Sequence, residues 1–359
     1  MKRFTAVLML ILLLCTGCSM MNKKTVKKDK KDSFDLNKAE ETVKNYMNFI
    51  ILDDYDNAKK ILSDKAEGVI NISKSDYKIK GYNIDTKIKS GSSGVFKIKA
   101  ARESMIMPKA SLEDYYIEVT KEKSDYKITK IKNEIEKESF VGENGIRIRS
   151  DGDVETKLLI DIDGFPEYAY AKTDKIKLNK FSVPKDKFGA ISFNYSGNKL
   201  AVSTFDGSSV FYGMVRINEA VSTQANGQGT QQQQQGGNGS SGSSSNGFAK
   251  EKPIGKELMP LDIIQNAKVQ YMTFSPDEKY IAVQCADNKN DTFLNIYDAM
   301  SGDILPYESK DKVNASDEDI MFKYFDDKGN AFFDTKEKKG KKILKKWELN
   351  MENMKVKEI

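Results

Sequence analysis

The sequence contains no histidine. A Ser-His-Asp triad or a Cys-His pair therefore cannot form, and imidazole is not available as a zinc ligand. Cysteine is scarce, at positions 15, 18 and 285, and tryptophan occurs once, at 347. Arginine is confined to positions 3, 102, 147, 149 and 216, so the basic residues are overwhelmingly lysine. Together with abundant Asn and Ile, that bias points to an AT-rich genome of the low-GC Gram-positive kind. No phosphate loop of the form G-x-x-x-x-G-K-S/T is present. No apolar run reaches the roughly 20 residues that a membrane-spanning helix needs.

A shorter apolar run does occur. Lys2 and Arg3 are followed by apolar residues from Phe4 to Cys15 and then by small residues, the layout of a secretory signal peptide. Leu14-Cys15-Thr16-Gly17-Cys18-Ser19 resembles the lipobox of bacterial lipoproteins, with Cys15 standing where the family prefers leucine. The resemblance implies that residues 1–17 are removed, that Cys18 carries a covalent diacylglycerol, and that the protein is anchored at the outer face of the cell membrane. Two acyl chains hold where one does not, at about 0.8 kcal/mol per buried methylene. An uncleaved signal anchor is the alternative. On the lipoprotein reading Cys285 is the sole thiol left, so no intramolecular disulfide and no Cys/His zinc site is available. Cys285 lies in the apolar run Ile281-Ala282-Val283-Gln284-Cys285 and reads as a strand residue.

The net charge of +5 is unevenly spread. Lys2 and Arg3 belong to the signal, and six lysines against Asp29 and Asp32 fill the stretch from Cys18 to Ser33. The remainder is close to neutral. Residues 18–34 thus form a basic tether that either touches anionic headgroups or is a solvated spacer, and the folded part lacks the footprint of a nucleic-acid binder.

A first domain is expected over residues 35–134. Asn37-Lys38-Ala39-Glu40 fits a helix start, and Val43, Tyr46, Met47, Ile50 and Ile51 follow at helical spacing. Asp53-Asp54 breaks the pattern before a second short helix with Tyr55, Ala58, Ile61 and Leu62. Alternating stretches follow at Tyr82–Ile88, Phe96–Ala100, Tyr115–Val119 and Tyr126–Ile131. The expected fold is α+β, a helical hairpin on an antiparallel sheet. This order, with Asn45-Tyr46-Met47, Asp54 through Ala58, Tyr116 through Val119 and Tyr126-Lys127-Ile128, resembles the small NTF2-like domains of exported Gram-positive lipoproteins. The resemblance implies a cone that can hold a ligand. Catalytic members use a carboxylate and often a histidine, so a non-catalytic module is expected.

A second, all-β domain is expected over residues 143–359, because the chain repeats itself there. Phe193-Asn194-Tyr195-Ser196-Gly197-Asn198-Lys199-Leu200-Ala201-Val202 aligns with Phe274-Ser275-Pro276-Asp277-Glu278-Lys279-Tyr280-Ile281-Ala282-Val283. A weaker third copy runs from Phe325 to Phe333. Each copy reads as strand, tight turn, buried strand, with third strands at Val210–Ile217, Phe293–Tyr297 and Ile343–Leu349, and fourth strands at Lys256–Ile263, Gly302–Tyr307 and Met354–Ile359. Four such strands make a propeller blade, and F-S-P-D-x-x-x-I-A-V resembles the blades of TolB-like and WD40-like β-propellers. Residues 225–247 are a low-complexity Gly/Ser/Asn/Gln insertion that cannot build a core. A divergent fourth copy is expected within Lys157–Val183, giving a small four-bladed ring, with an incomplete propeller as the alternative.

Three acid pairs, Asp151/Asp153, Asp161/Asp163 and Asp326/Asp327, do not follow the calcium-loop spacing. Trp347 and the tyrosines are expected to pack the blades. No catalytic residue, metal ligand or cofactor beyond the lipid on Cys18 is expected. The leading expectation is a non-enzymatic surface lipoprotein that binds a protein or envelope partner or acts as a scaffold, with no nucleic acid. The rivals are a small-molecule sensor or carrier using the N-terminal cone, and a hydrolase using acids alone.

Overall fold

The computed structural model describes residues 34–67, 76–218, 251–307, 318–338 and 342–359. The expected signal peptide over residues 1–17, Cys18, all but the last residue of the expected tether, and the 225–247 insertion lie outside the described residues.

Helix α1 (Leu36–Ile51) buries Ala39, Val43, Tyr46, Met47, Ile50 and Ile51, the stripe that its helical spacing demands. It stops because Asp53 takes a left-handed conformation (φ 59°), which a short polar side chain tolerates. Asp54 then caps α2 (Tyr55–Ile61), accepting from the Asn57 amide at 3.3 Å. Strand β1 (Leu62–Glu67) follows directly.

The strands β2 (Tyr77–Ser90), β3 (Ser93–Ser104), β4 (Lys109–Glu122), β5 (Asp125–Gly142), β6 (Gly145–Ser150) and β7 (Lys157–Ile160) form one sheet in that order. All of these neighbours are antiparallel, and β1 joins β5 in parallel. Helix α1 packs against β2, β3, β4 and β5. Phe96, Ile98, Tyr115, Ile117, Val119 and Ile128 are fully buried, each contributing about 1.5–3 kcal/mol of apolar burial.

Four antiparallel strands come next, β10 (Lys187–Phe193), β11 (Lys199–Phe205), β12 (Ser209–Ile217) and β13 (Gly255–Gln265). A second sheet holds β14 (Ala267–Phe274), β15 (Tyr280–Asp287) and β16 (Thr292–Asp298). Where a fourth strand was expected, at Gly302–Tyr307, there is one bridge between Tyr297 and Ile304. The third sheet is β17 (Glu318–Phe325), β18 (Ala331–Glu337), β19 (Ile343–Asn350) and β20 (Lys355–Glu358). These are three blade-like meanders, and the chain is mostly β with antiparallel sheets.

Residues 157–183 do not make a fourth meander among the described residues. Strand β7 adds to the first sheet instead, and β8 (Tyr168–Tyr170) and β9 (Lys180–Ser182) form a separate two-stranded hairpin. The reason is visible in the cores. Ile146, Ile148, Leu159 and Ile160 of β6 and β7, with Ala110 and Leu112 of β4, share one core with Ile191, Phe193, Val202 and Phe211 of the first blade. The N-terminal sheet therefore supplies the layer in front of blade one. A second core joins blade one to blade two, and a third joins blade two to blade three. The first strands of the blades also meet the same sheet: β10 lies against β3 and β4, β14 against β2, and β17 against β2 and α1.

The repeated motif has a physical meaning at two positions. Its second residue closes the turn: Asn194 accepts from the Lys199 amide at 2.8 Å, Ser275 from the Tyr280 amide at 3.0 Å, and Asp326 from the Asn330 amide at 2.7 Å. Its fifth residue has positive φ, Gly197 at 65°, Glu278 at 58° and Gly329 at 81°. Glutamate replaces glycine in the middle copy, and its carboxylate ties blade two to blade one. It accepts from Asn194 Nδ2 at 2.7 Å and Ser196 Oγ at 2.9 Å.

Candidate functional site

Four β strands and a turn shape an apolar groove. Between β3 and β4 the chain runs Ser104-Met105-Ile106-Met107-Pro108. The Ser104 hydroxyl accepts from the Met107 amide at 3.2 Å, and the Lys109 amide donates to the Met107 carbonyl at 2.8 Å. This local bonding holds the turn open, with Ile106 70% and Met107 53% exposed. Beneath it lies a cleft of about 460 Å3 floored by Phe188, Phe205, Val210 and Val269, with Lys187 and Lys268 at its edge. A Cβ at Gly189 in that floor would stand 2.6 Å from Ser203 Oγ and would displace that hydroxyl. The groove exists only where the N-terminal sheet meets blades one and two.

A second cleft of about 550 Å3 lies between the β8–β9 hairpin and β13, lined by Tyr168, Tyr170, Lys172, Met259 and Asp262 among others. Asp262 is nearly fully buried. It accepts from the Lys172 amide (2.9 Å), the Ile263 amide (2.8 Å) and the Tyr297 hydroxyl (2.8 Å), and Tyr297 in turn bonds the Tyr212 hydroxyl. Burial pushes the Asp262 carboxyl upward despite these donors. Its three donors come from β13 itself, from β16 and from the segment after β8, so it pins three segments together.

Inside the helix-covered face of the first sheet sits Glu113, also buried. Its Oε1 accepts from Ser111 Oγ (2.8 Å) and pairs with Arg102 (3.3 Å). Its Oε2 accepts from the Tyr115 hydroxyl (2.7 Å) and Asn133 Nδ2 (3.3 Å). Both oxygens are saturated, and a carboxylate so held is fixed in place. On the opposite face, Glu103 is buried beside Lys80, where β2 and β3 meet β14. The Met272 amide donates to its Oε2 at 3.3 Å, while Oε1 has no hydrogen-bond partner among the described residues. Burial pushes the Glu103 carboxyl up to about 8 and lowers Lys80. The Lys80 ammonium stands 4.1 Å from the Tyr271 ring centroid.

The residues singled out in the sequence fall as follows. Cys18 is outside the described residues. Cys285 is buried in the core between blades one and two, and burial raises its thiol far above the ordinary range. Tyr46, Phe96 and Tyr115 are completely buried and Ile50 nearly so; neither cleft described above is lined by them. Tyr82 is half-buried beside α1, near Asn48 Oδ1 at 3.3 Å. The three acid pairs are dispersed: Asp153 pairs with Lys157 (3.1 Å), Asp161 caps its own turn through the Gly164 amide (3.0 Å), Asp326 closes the blade-three hairpin, and Asp327 pairs with Lys44 (2.8 Å). Trp347 is buried and stacks on Phe333 at 6.4 Å. Sequence reading missed Glu113 and the 104–108 turn. The available signals were a glutamate at an inward position of an alternating strand and an apolar Met-Ile-Met run inside a turn.

No family model and no curated protein matches the chain. Solved structures show a distant similarity to β-propeller proteins. TolB from Acinetobacter baumannii aligns at TM-score 0.31 and 10% identity, over 69% of this chain and 54% of TolB. Hsv2 from Kluyveromyces lactis aligns at TM-score 0.24 and 11% identity, over 78% of this chain and 98% of Hsv2. A prolyl endopeptidase structure aligns at TM-score 0.28 and 9% identity, over 90% of this chain and 39% of the other. This chain thus spans about half of TolB and less of the endopeptidase. Similarity at this level concerns fold alone.

Proposed function

We propose that this chain is a non-enzymatic binding or scaffold module of the cell envelope, held at the outer face of the membrane by diacylglycerol on Cys18. Its protein partner docks in the groove beneath Ile106 and Met107. The N-terminal region is read as an NTF2-like domain and the three meanders as an incomplete TolB-like or WD40-like propeller. The observation that carries the reading is this groove: two large, exposed apolar side chains standing over an apolar floor, where the N-terminal sheet meets blades one and two. Flexible Met side chains suit such a surface, because they adapt to an apolar partner. A non-catalytic role is supported by the acids: Glu113 and Asp262 each spend their oxygens on fixed donors, and no histidine exists to serve as base. The rival reading, a small molecule in the N-terminal cone, needs space where Tyr46, Met47, Phe96, Ile98 and Tyr115 are all buried.

The test is site-specific photocrosslinking on intact cells. A photoreactive residue replacing Met107 is expected to yield one dominant protein adduct, and the same residue replacing exposed Ile88 to yield none. Equal labelling from both positions, or none from Met107, would reject the docking assignment. Anchoring is checked separately, since Cys18→Ser is expected to release the protein into the medium.

A further inference from the structure

We propose that the β8–β9 hairpin is a membrane-contacting element that seats its tip in the headgroup region of an anionic bilayer. The hairpin has two faces. Ala169 and Phe181 pair across the strands and turn inward onto the blade-one core, while Tyr168, Tyr170 and Lys180 face solvent. The tip, Lys172-Thr173-Asp174-Lys175-Ile176-Lys177-Leu178-Asn179-Lys180, carries four lysines against one aspartate. Ile176 is 75% and Leu178 74% exposed.

This conformation is built. Asp174 donates its amide to the Ala171 carbonyl (2.9 Å), its carbonyl accepts from the Lys177 amide (3.0 Å), and its carboxylate accepts from the Asn179 amide (2.7 Å). The single acid of the tip is thus committed to the turn. Lys177 sits at φ 52°, which places its neighbours Ile176 and Leu178 at the crest. Lys180 stands 3.9 Å over the Tyr168 ring.

The arrangement fits a bilayer better than a protein. Ile176 and Leu178 stand outside the cleft that the hairpin lines with β13, and lysine is depleted in protein interfaces. A fluid apolar boundary needs no shape match. Lysines at its edge meet anionic headgroups, and tyrosines are favoured at headgroup depth. The proposal does not require acylation of Cys18.

The test uses the chain from Ser19 onward, so that no acyl group contributes. Leu178→Trp serves as reporter and Ile88→Trp as control, with buried Trp347 as constant background. Vesicles of phosphatidylglycerol and phosphatidylcholine in equal parts carry brominated acyl chains. The Leu178→Trp emission is expected to shift to the blue and be quenched, and that of Ile88→Trp to stay unchanged. Lys175→Gln and Lys177→Gln should each weaken vesicle binding by roughly fivefold at low salt. Binding that leaves the Leu178→Trp reporter unquenched, through the tether lysines instead, or no binding at all, would overturn the proposal. Equal quenching of both reporters would do the same.

Discussion

The N-terminal sheet and the blades reach a buried core by opposite routes. In the blades, one short motif is used three times, and each copy closes its own turn before it meets a neighbour. The sheet is covered on both faces by different partners, α1 on one side and the blades on the other. Its burial is therefore not a property of its own segment. Polar contacts also join the layers. Tyr195 donates to the Phe274 carbonyl (3.0 Å), Tyr271 to the Phe322 carbonyl (2.7 Å), and Gln284 bonds both Ile320 and Phe322. Each links one blade to the next, from a different place in the repeat. The contacts between sheet and blades, at Lys80, Gly81 and Glu103, follow no repeat.

If the sheet stands in for a blade, truncating its back face should cost as much as truncating a blade core. Leu112→Ala is expected to destabilise the whole chain by about 2–5 kcal/mol, in a single thermal transition. Two separated transitions, with only one displaced, would break the equivalence. A smaller loss, about 1–3 kcal/mol, is expected for Gly81→Ala. A Cβ there would collide with the Tyr195 hydroxyl and stand 2.7 Å from Thr273 Oγ1. Denaturant midpoints for this variant alone and combined with Tyr195→Phe, which removes the hydroxyl that the Cβ would meet, separate loss of close approach from a general glycine effect.

Removing a turn closure should cost less again. Asn194→Ala takes acceptors from the Asn198 and Lys199 amides and a donor from Glu278, for about 1–2 kcal/mol. A separate effect concerns pH. Glu103 is raised from 4.5 to about 8 by burial, so it favours the fold while neutral. Its contribution is complete below about 4.5 and fades as pH rises towards 8. Glu103→Gln, which stays neutral, should flatten the stability profile across that window, as read by urea midpoints at a series of pH values.

The sequence was most legible where burial is local. The α1 stripe, the alternation of β3 and β4 and the three motif copies each announce themselves within a few residues. The back face of the first sheet was not legible. Ala101, Glu103, Ala110 and Leu112 alternate with the inward set and include a charge, so they read as a solvent face until the blades cover them. Leu158-Leu159-Ile160 read as a blade strand because a buried apolar run carries no record of which sheet it joins. Strand β5 passes without interruption through residues 134–142, where the sequence reading places the gap between two domains. The groove and the hairpin crest escaped for a related reason. Periodicity is the main signal of sequence reading, and Ile106, Met107, Ile176 and Leu178 sit in turns where no period applies.

Native-state hydrogen exchange on the Leu112→Ala variant tests most directly whether sheet and blades are one body. The account predicts that amides of β3 and β4 and those of β10, β11 and β15 lose protection together and by similar factors. Loss confined to the N-terminal strands, with the blade amides as protected as in the parent, would contradict it.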